Sequence, residues 1–333
     1  MAAPVCLIVN PAAGGGKSGR LAPALERTLR GHGLTVARAQ TRDLQHAREL
    51  AVEAARRGET VVALSGDGMV GAIADALRAV PGAVLGILPG GRGNDLARVL
   101  GIPEDPHAAC ATIATGAARP VDMGEVDGRA FVGIASAGFD SDANRIANEA
   151  PSWLGGLVYA YGALRALASW RPATFVVELD PPGVRHTFTG YSVGTANSKA
   201  YGGGMYAAPG ALLDDGLLEV VTMAQLSRRR FLSSVLPRVF KGTHVELDAV
   251  RVFRAAEVEI SADRPFALYA DGDPIGELPV RVRALRGAVN IIVPPEPPMH
   301  DAFGAPHPAA SAPLEHAGGG DASAPSDESP VRP

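Results

Sequence analysis

Three glycine-rich turns within residues 10–95 set acids, two asparagines, a lysine and an arginine where a polyphosphate could lie. The apolar run Val61-Val62-Ala63-Leu64-Ser65 stops at Gly66-Asp67-Gly68, and helical spacing (Ile73, Ala74, Leu77) begins at once. Glycines flanking Asp67 free the backbone for φ > 0 and let its N–H groups face a ligand with no Cβ between. The following helix points its positive end at the same spot. Such a turn suits a polyphosphate, and Asp67 can hold its magnesium directly or through water. Standing alone, it would read more readily as a plain strand-to-helix turn. It is not alone. Asn10-Pro11-Ala12-Ala13-Gly14-Gly15-Gly16-Lys17-Ser18-Gly19 follows the apolar run Val5–Val9, and Pro89-Gly90-Gly91-Arg92-Gly93-Asn94-Asp95 follows Ala83–Leu88. Three turns at the carboxyl ends of three strands in one α/β unit lie where open parallel sheets bind ligands.

Further candidates lie in the second half. Asp271-Gly272-Asp273 ends the apolar run Phe266–Ala270. Carboxylates at i and i+2 converge only if the chain turns there, so either acid–base work or two solvated turn residues fits. In Leu212-x-x-Asp215-x-Leu217, one carboxylate and two neighbouring carbonyls could hold a hard cation, or the stretch is a hairpin turn. None of the eight histidines falls in a glycine turn or at metal-ligand spacing, so histidine catalysis is not expected.

Positioning these residues requires two textures of chain. Up to about residue 115, strands near 5–9, 34–39, 60–64 and 84–88 alternate with helices near 18–31, 44–57, 69–79 and 93–100, which implies parallel strands with right-handed crossovers. After Pro120, candidate strands at 120–126, 129–137, 174–180, 186–195, 217–223, 247–254, 257–261, 266–270, 277–285 and 288–293 imply an antiparallel sandwich or barrel. Helical stretches near 139–149, 152–169 and 227–239 interrupt it. The expected organisation is a Rossmann-like α/β domain (1–120), a mainly antiparallel β-sandwich domain (121–295) and a Pro/Ala/Gly/Ser-rich disordered tail (296–333). Trp153, Leu154, Leu157, Val158 and Tyr161 could line an acyl site, although helical spacing reads better as core packing.

The chain has 333 residues and a net charge of −4, so no bulk basic field argues for nucleic acid. Cys6 and Cys110 stand in apolar contexts and read as core residues of a reducing compartment. No apolar run reaches about 18 residues and no basic-then-apolar leader opens the chain. A cytoplasmic protein is expected, and a homodimer stays open.

Both Gly14-x-Gly16-x-x-Gly19 and Gly66-x-Gly68-x-x-Gly71 match a dinucleotide fingerprint, but Ala39-Gln40 stand where its ribose-binding acid belongs. Gly16-Lys17-Ser18 suggests a Walker loop, whose first glycine would fall on Pro11. What fits is a resemblance to the diacylglycerol kinase catalytic domain family, bacterial lipid kinases related to sphingosine and ceramide kinases and distantly to NAD kinases. Asn10-Pro11 with Gly14-Gly15-Gly16-Lys17 resembles that family's opening loop, and Ser65-Gly66-Asp67-Gly68 its Gly-Gly-Asp-Gly-Thr turn. Pro89–Arg98 is similar to its Pro-x-Gly-Thr-x-Asn-Asp-x-Ala-Arg stretch. Asn197, Tyr201–Gly204, Ala208–Leu218 and Asp271–Asp273 match later blocks, so the resemblance spans about residues 4–294. Three departures stand out: Ser65 for glycine, Met69 for threonine, and Arg92 for threonine. Arg92 could itself contact phosphate with a bidentate fork.

The resemblance implies an ATP-dependent kinase acting on the hydroxyl of diacylglycerol or a similar lipid alcohol at the membrane surface, with Mg2+. It implies nucleotide contacts from Asn10, Gly15, Lys17, Thr41, Gly66, Asp67, Gly68, Arg92, Asn94 and Asp95. Asp271 would be the general base, with Asp273 as its helper. Leu212 and Leu217 (carbonyls) with Asp215 would hold a structural magnesium. Peripheral membrane association follows from the substrate class. An NAD kinase-like or sphingosine kinase-like enzyme, or a catalytically silent lipid- or nucleotide-binding regulator, are the alternatives.

Overall fold

A computed structural model describes residues 4–150 and 158–295, together with Ala302. The expected helix start at 152–157, with Trp153, Leu154 and Leu157, lies outside the described residues. So does the tail at 296–333, apart from Ala302.

The first domain folds as its pattern requires. Strands β1 (Val5–Val9), β2 (Val36–Gln40), β3 (Thr60–Ser65) and β4 (Val84–Pro89) pair in parallel in the order β2-β1-β3-β4. β1 is fully buried and β3 nearly so, as continuous apolar strands covered on both faces must be. Helices α1 (Ala13–Gly31) and α5 (Pro106–Thr115) pack together, as do α2 (Leu44–Arg56) and α3 (Asp67–Leu77), and the short α4 (Asp95–Val99) follows the third glycine turn. The sequence reading missed α5, which Asp105 caps by accepting from the His107 and Ala108 N–H groups.

The second domain is antiparallel, as expected. It comprises β5 (Ala117–Val126), β6 (Arg129–Phe131), β7 (Ile134–Gly138), α6 (Phe139–Glu149), α7 (Val158–Ser169), β8 (Ala173–Leu179) and β9 (Val184–Ala196). A small hairpin, β10 (Ala200–Tyr201) and β11 (Met205–Tyr206), precedes β12 (Leu218–Ala224), a helical stretch over 228–239 and β13 (Val250–Ala255). β14 (Glu257–Ala262), β15 (Ala267–Ala270), β16 (Asp273–Glu277) and β17 (Val280–Val293) complete it. The expected strand over 129–137 is two strands, because Val132 and Gly133 leave the ladder. Those expected over 277–285 and 288–293 are one.

The domains are not separated by a linker. β5 and β17 pair along both: Val282–Leu285 with Met123–Val126, then Val289–Val293 with Ala117–Val121, across a register shift. The far ends pack in the first core (Val121, Met123, Val289, Ile291) and the near ends in the second (Val126, Val280, Val282). At the shift, buried Asp122 accepts the Gly287 and Gly216 N–H groups at 2.6 Å each. β17 then reaches β4 in parallel, so the Rossmann-like sheet borrows its last strand from the end of the chain.

Among the described residues no helix is long and apolar enough to cross a membrane. Ala302 departs from the expected tail: it is buried, and its carbonyl accepts the Leu213 N–H at 2.9 Å.

Candidate active site

The three glycine turns touch one another through their glycines. A β-carbon on Gly14 would stand 2.6 Å from the Gly90 carbonyl oxygen, and one on Gly66 would stand 3.0 Å from Gly91 Cα. Ser18 fixes the first turn to the third by donating to the Gly90 carbonyl at 3.0 Å. Gly14, Gly15 and Gly16 all have positive φ, so the loop curls before α1 begins in earnest.

These turns form one wall of a cleft of about 840 Å³ between the domains. Asn10, Gly66, Asp67, Gly68, Arg92 and Asp95 line it from the first domain, and Asp271 from the second. Arg92 is exposed at its edge. Asp67 is the first residue of α3, and its Oδ1 accepts the Leu96 N–H at 3.2 Å. Burial first, then the negative charge of Asp95, hold its carboxyl above the ordinary range. A carboxylate kept short of positive charge, with Oδ2 beside Gly93, is suited to a magnesium that arrives with phosphates, which needs only one or two protein carboxylates.

Asp271 stands at the centre. Asp271-Gly272 is the two-residue loop of the β15–β16 hairpin, with φ of 51° and 94°, the geometry that Asp-Gly favours. The loop aims the carboxylate at three successive N–H groups: Val132 donates to Oδ2 at 2.9 Å, Gly133 and Ile134 to Oδ1 at 2.9 and 3.1 Å. Oδ1 is thereby saturated and Oδ2 keeps one acceptor site. Desolvation is the larger influence, with Asp67 adding repulsion, so the carboxyl is pushed up to about 6 despite the three donors. α3 runs alongside: Gly71, one turn after Asp67, would place a β-carbon 3.4 Å from Oδ2.

Asn197, quoted above for its sequence block without a role, holds the other side of this cradle. Its Nδ2 donates to the Asp122 and Val132 carbonyls at 2.8 and 2.9 Å. Its N–H and that of Ser198 donate to the Gly133 carbonyl at 2.9 and 3.1 Å.

Other expected site residues fall elsewhere. Asp273 does not converge with Asp271: it lies on β16, exposed and off the cleft. Thr41 is buried and donates to the Asp43 carbonyl, while Asp43 caps α2. Lys17 and Gly15 are exposed and do not line the cleft. Asn94, at φ 50°, closes its side chain on the Gly91 N–H and carbonyl, bracing the turn rather than facing a ligand. Asp95 is buried; its Oδ1 accepts from Arg98 at 2.6 Å and its Oδ2 from the Gly203 N–H at 2.7 Å, tying the third turn to the second domain. In the expected magnesium loop the one carboxylate already has partners. The Asp215 carboxylate pairs with the Arg254 guanidinium, and Leu217 offers it an N–H.

The match with known proteins has the same two-part division. Residues 4–126 match the model of the diacylglycerol kinase catalytic domain, and residues 133–293 that of the YegS C-terminal NAD kinase beta sandwich-like domain. The chain belongs to the diacylglycerol kinase family of lipid kinases. It is 33% identical over 300 residues to a protein named diacylglycerol kinase from Mycobacterium tuberculosis (strain ATCC 25618 / H37Rv), covering 87% of this chain and 95% of that one. It is 29% identical over 257 residues to a protein named diacylglycerol kinase from Bacillus subtilis (strain 168), covering 76% of this chain and 83% of that one. The crystal structure of a diacylglycerol kinase from Bacillus anthracis str. Sterne shares the fold, with a TM-score of 0.70 at 21% identity over 88% of this chain and 97% of that one.

Proposed function

We propose that this lipid kinase transfers the γ-phosphoryl group of ATP to the hydroxyl of diacylglycerol or a closely similar lipid alcohol. The observation that carries the reading is Asp271: a carboxylate oriented by three N–H groups, with one acceptor site left on Oδ2, which lies beside Gly71 one turn along α3 from Asp67. Phosphoryl transfer asks a protein chiefly to position groups and neutralise charge. The Gly66–Gly68 turn and the positive end of α3 cradle the phosphates, and Arg92 reaches them from the rim. Magnesium held by Asp67 with the phosphates would neutralise charge gathering on the leaving oxygen. Oδ2 of Asp271 takes the hydroxyl proton as that oxygen bonds to the γ-phosphorus and the bond to the β-phosphate oxygen breaks, releasing ADP.

The purified chain is assayed with labelled ATP and magnesium against diacylglycerol, sphingosine and ceramide in mixed micelles, and against NAD. Label in a lipid phosphate, strongest with diacylglycerol, is expected. Transfer to NAD alone would overturn the reading, and ATP binding without any transfer would make the chain a silent regulator.

A further inference from the structure

Residues 227–241 read Ser-Arg-Arg-Arg-Phe-Leu-Ser-Ser-Val-Leu-Pro-Arg-Val-Phe-Lys, with five cations and no acid in a chain of net charge −4. The stretch is helical from Arg228 to Val239. Phe231, Val235 and Val239 face inward and join the second core, where the Phe231 ring packs 5.0 Å from Phe139 and 4.8 Å from Tyr191. The outer side carries Arg229, Arg230, Leu232, Arg238, Phe240 and Lys241, all exposed. Leu232 and Phe240 are 38% and 54% exposed, which leaves two large apolar groups among cations. Arg228 is exposed as well, and its guanidinium donates to the Trp170 carbonyl at 3.2 Å.

Both ends of this helix connect to the cleft through intervening elements. Trp170 ends the stretch led by α7, which packs on α6, whose Asn144 and Ala147 line the cleft. At the other end Gly242 adjoins Pro209 and Tyr206, and His244 bonds the Ala207 carbonyl at 3.1 Å, within the loop that begins with cleft residues Tyr201–Gly203. Tyr161 and Leu164 of α7, in the stretch that ends at Trp170, are two further exposed large apolar groups.

We infer that this face docks on an anionic bilayer surface, the guanidinium and ammonium groups taking lipid phosphates while Leu232 and Phe240 enter the headgroup boundary. The inference deepens the lipid-kinase reading and rests on it. Cations around exposed apolar side chains on the outer face of a helix whose inner face is packed in the core are the pattern of an interfacial helix. A polyanion such as nucleic acid would satisfy the charges but offers Leu232 and Phe240 no apolar medium.

The test is co-sedimentation of the full chain with phosphatidylcholine vesicles, with and without phosphatidylglycerol. Wild type should sediment with the mixed vesicles and not the neutral ones, and high salt should release it. Arg229→Gln/Arg230→Gln/Lys241→Gln should weaken binding by at least about tenfold, and Phe240→Ser should weaken it independently. Both variants should keep wild-type transfer to a short-chain, water-soluble diacylglycerol, which shows that they fold. Wild type that ignores anionic vesicles, or variants that bind as wild type does, would overturn the proposal. So would a wild-type dimer that the triple variant dissociates while vesicles have no effect, because the face would then belong to a second copy. Charge-dependent vesicle binding without transfer to any lipid would sink the kinase reading and leave the docking surface standing.

Discussion

Gly133 lies flush against Oδ1 of Asp271, so close that a β-carbon on Gly133 would overlap that oxygen. The N–H that Gly133 donates to the carboxylate and the missing side chain serve the same contact. Gly133→Ala should therefore push Asp271 off its three donors. Displacement of this kind by about 1 Å costs on the order of 10²-fold in turnover, while ATP affinity measured by calorimetry should stay close to wild type. A variant with full turnover would show that the cradle does not position the base.

Asp271→Asn removes the proton acceptor while keeping size. Turnover should fall by roughly 10²–10⁴-fold, the usual worth of a general base. In wild type the same group should set the acid limb of the rate profile. The base works ionised, so activity should rise with pH through about 6, where the buried carboxyl titrates. A flat profile between roughly pH 5 and 7 would remove Asp271 from proton transfer.

Asn197→Ala should leave the Asp122 and Val132 carbonyls without their buried donor, at about 1–3 kcal/mol each. Its distinguishing mark is kinetic. A slackened cradle favours the Asp271 carboxylate less, so the acid limb should move to higher pH. A variant that is less stable but keeps the limb in place would reduce Asn197 to packing.

Glu219 is buried, and its carboxyl is pushed up to about 7, by desolvation first, with Arg254 opposing and Asp215 adding to the rise. The folded state thus holds its proton between about 4.5 and about 7 while the unfolded chain releases it, so stability falls as pH rises across that window. Glu219→Gln, which stays neutral, should raise the melting temperature at pH 8, with a ceiling of about 3 kcal/mol. By pH 4 the gain should vanish. Equal gains at both pH values would separate the effect from ionisation.

A chain ending at residue 295 should melt about 2 °C below one ending at residue 304, because only the longer one retains buried Ala302 and its bond to Leu213. Superimposable melts would show that the contact adds nothing.

The first domain was legible because its signals are local. An apolar strand, a glycine turn and a helical period sit within about twenty residues of each other, and Asp67 is marked by its flanking glycines. The second half of the site is written over long distances. Val132-Gly133-Ile134 reads as the middle of a strand, and its role appears only when Asp271, 138 residues away, folds onto it. Asp-Gly at 271–272 carries a hairpin signature, which also predicts that Asp273 starts the return strand and faces away from Asp271. That Arg254 on β13 pairs with Asp215 is likewise invisible from the loop's own sequence. Nor can spacing show that Asn94 and Thr41 bond their own turns instead of a ligand.

β5 and β17 belong to both halves of the molecule, and that has a consequence for dissection. A fragment cut after Val126 would lose the strand beside β4, and the remainder would lose the partner of β17. Each piece would carry a bare strand edge open to self-association. Two sequence families meet near residue 130, yet neither half is a portable module; excising the nucleotide half for crystallography or inhibitor screening would require grafting Val289–Val293 back beside β4.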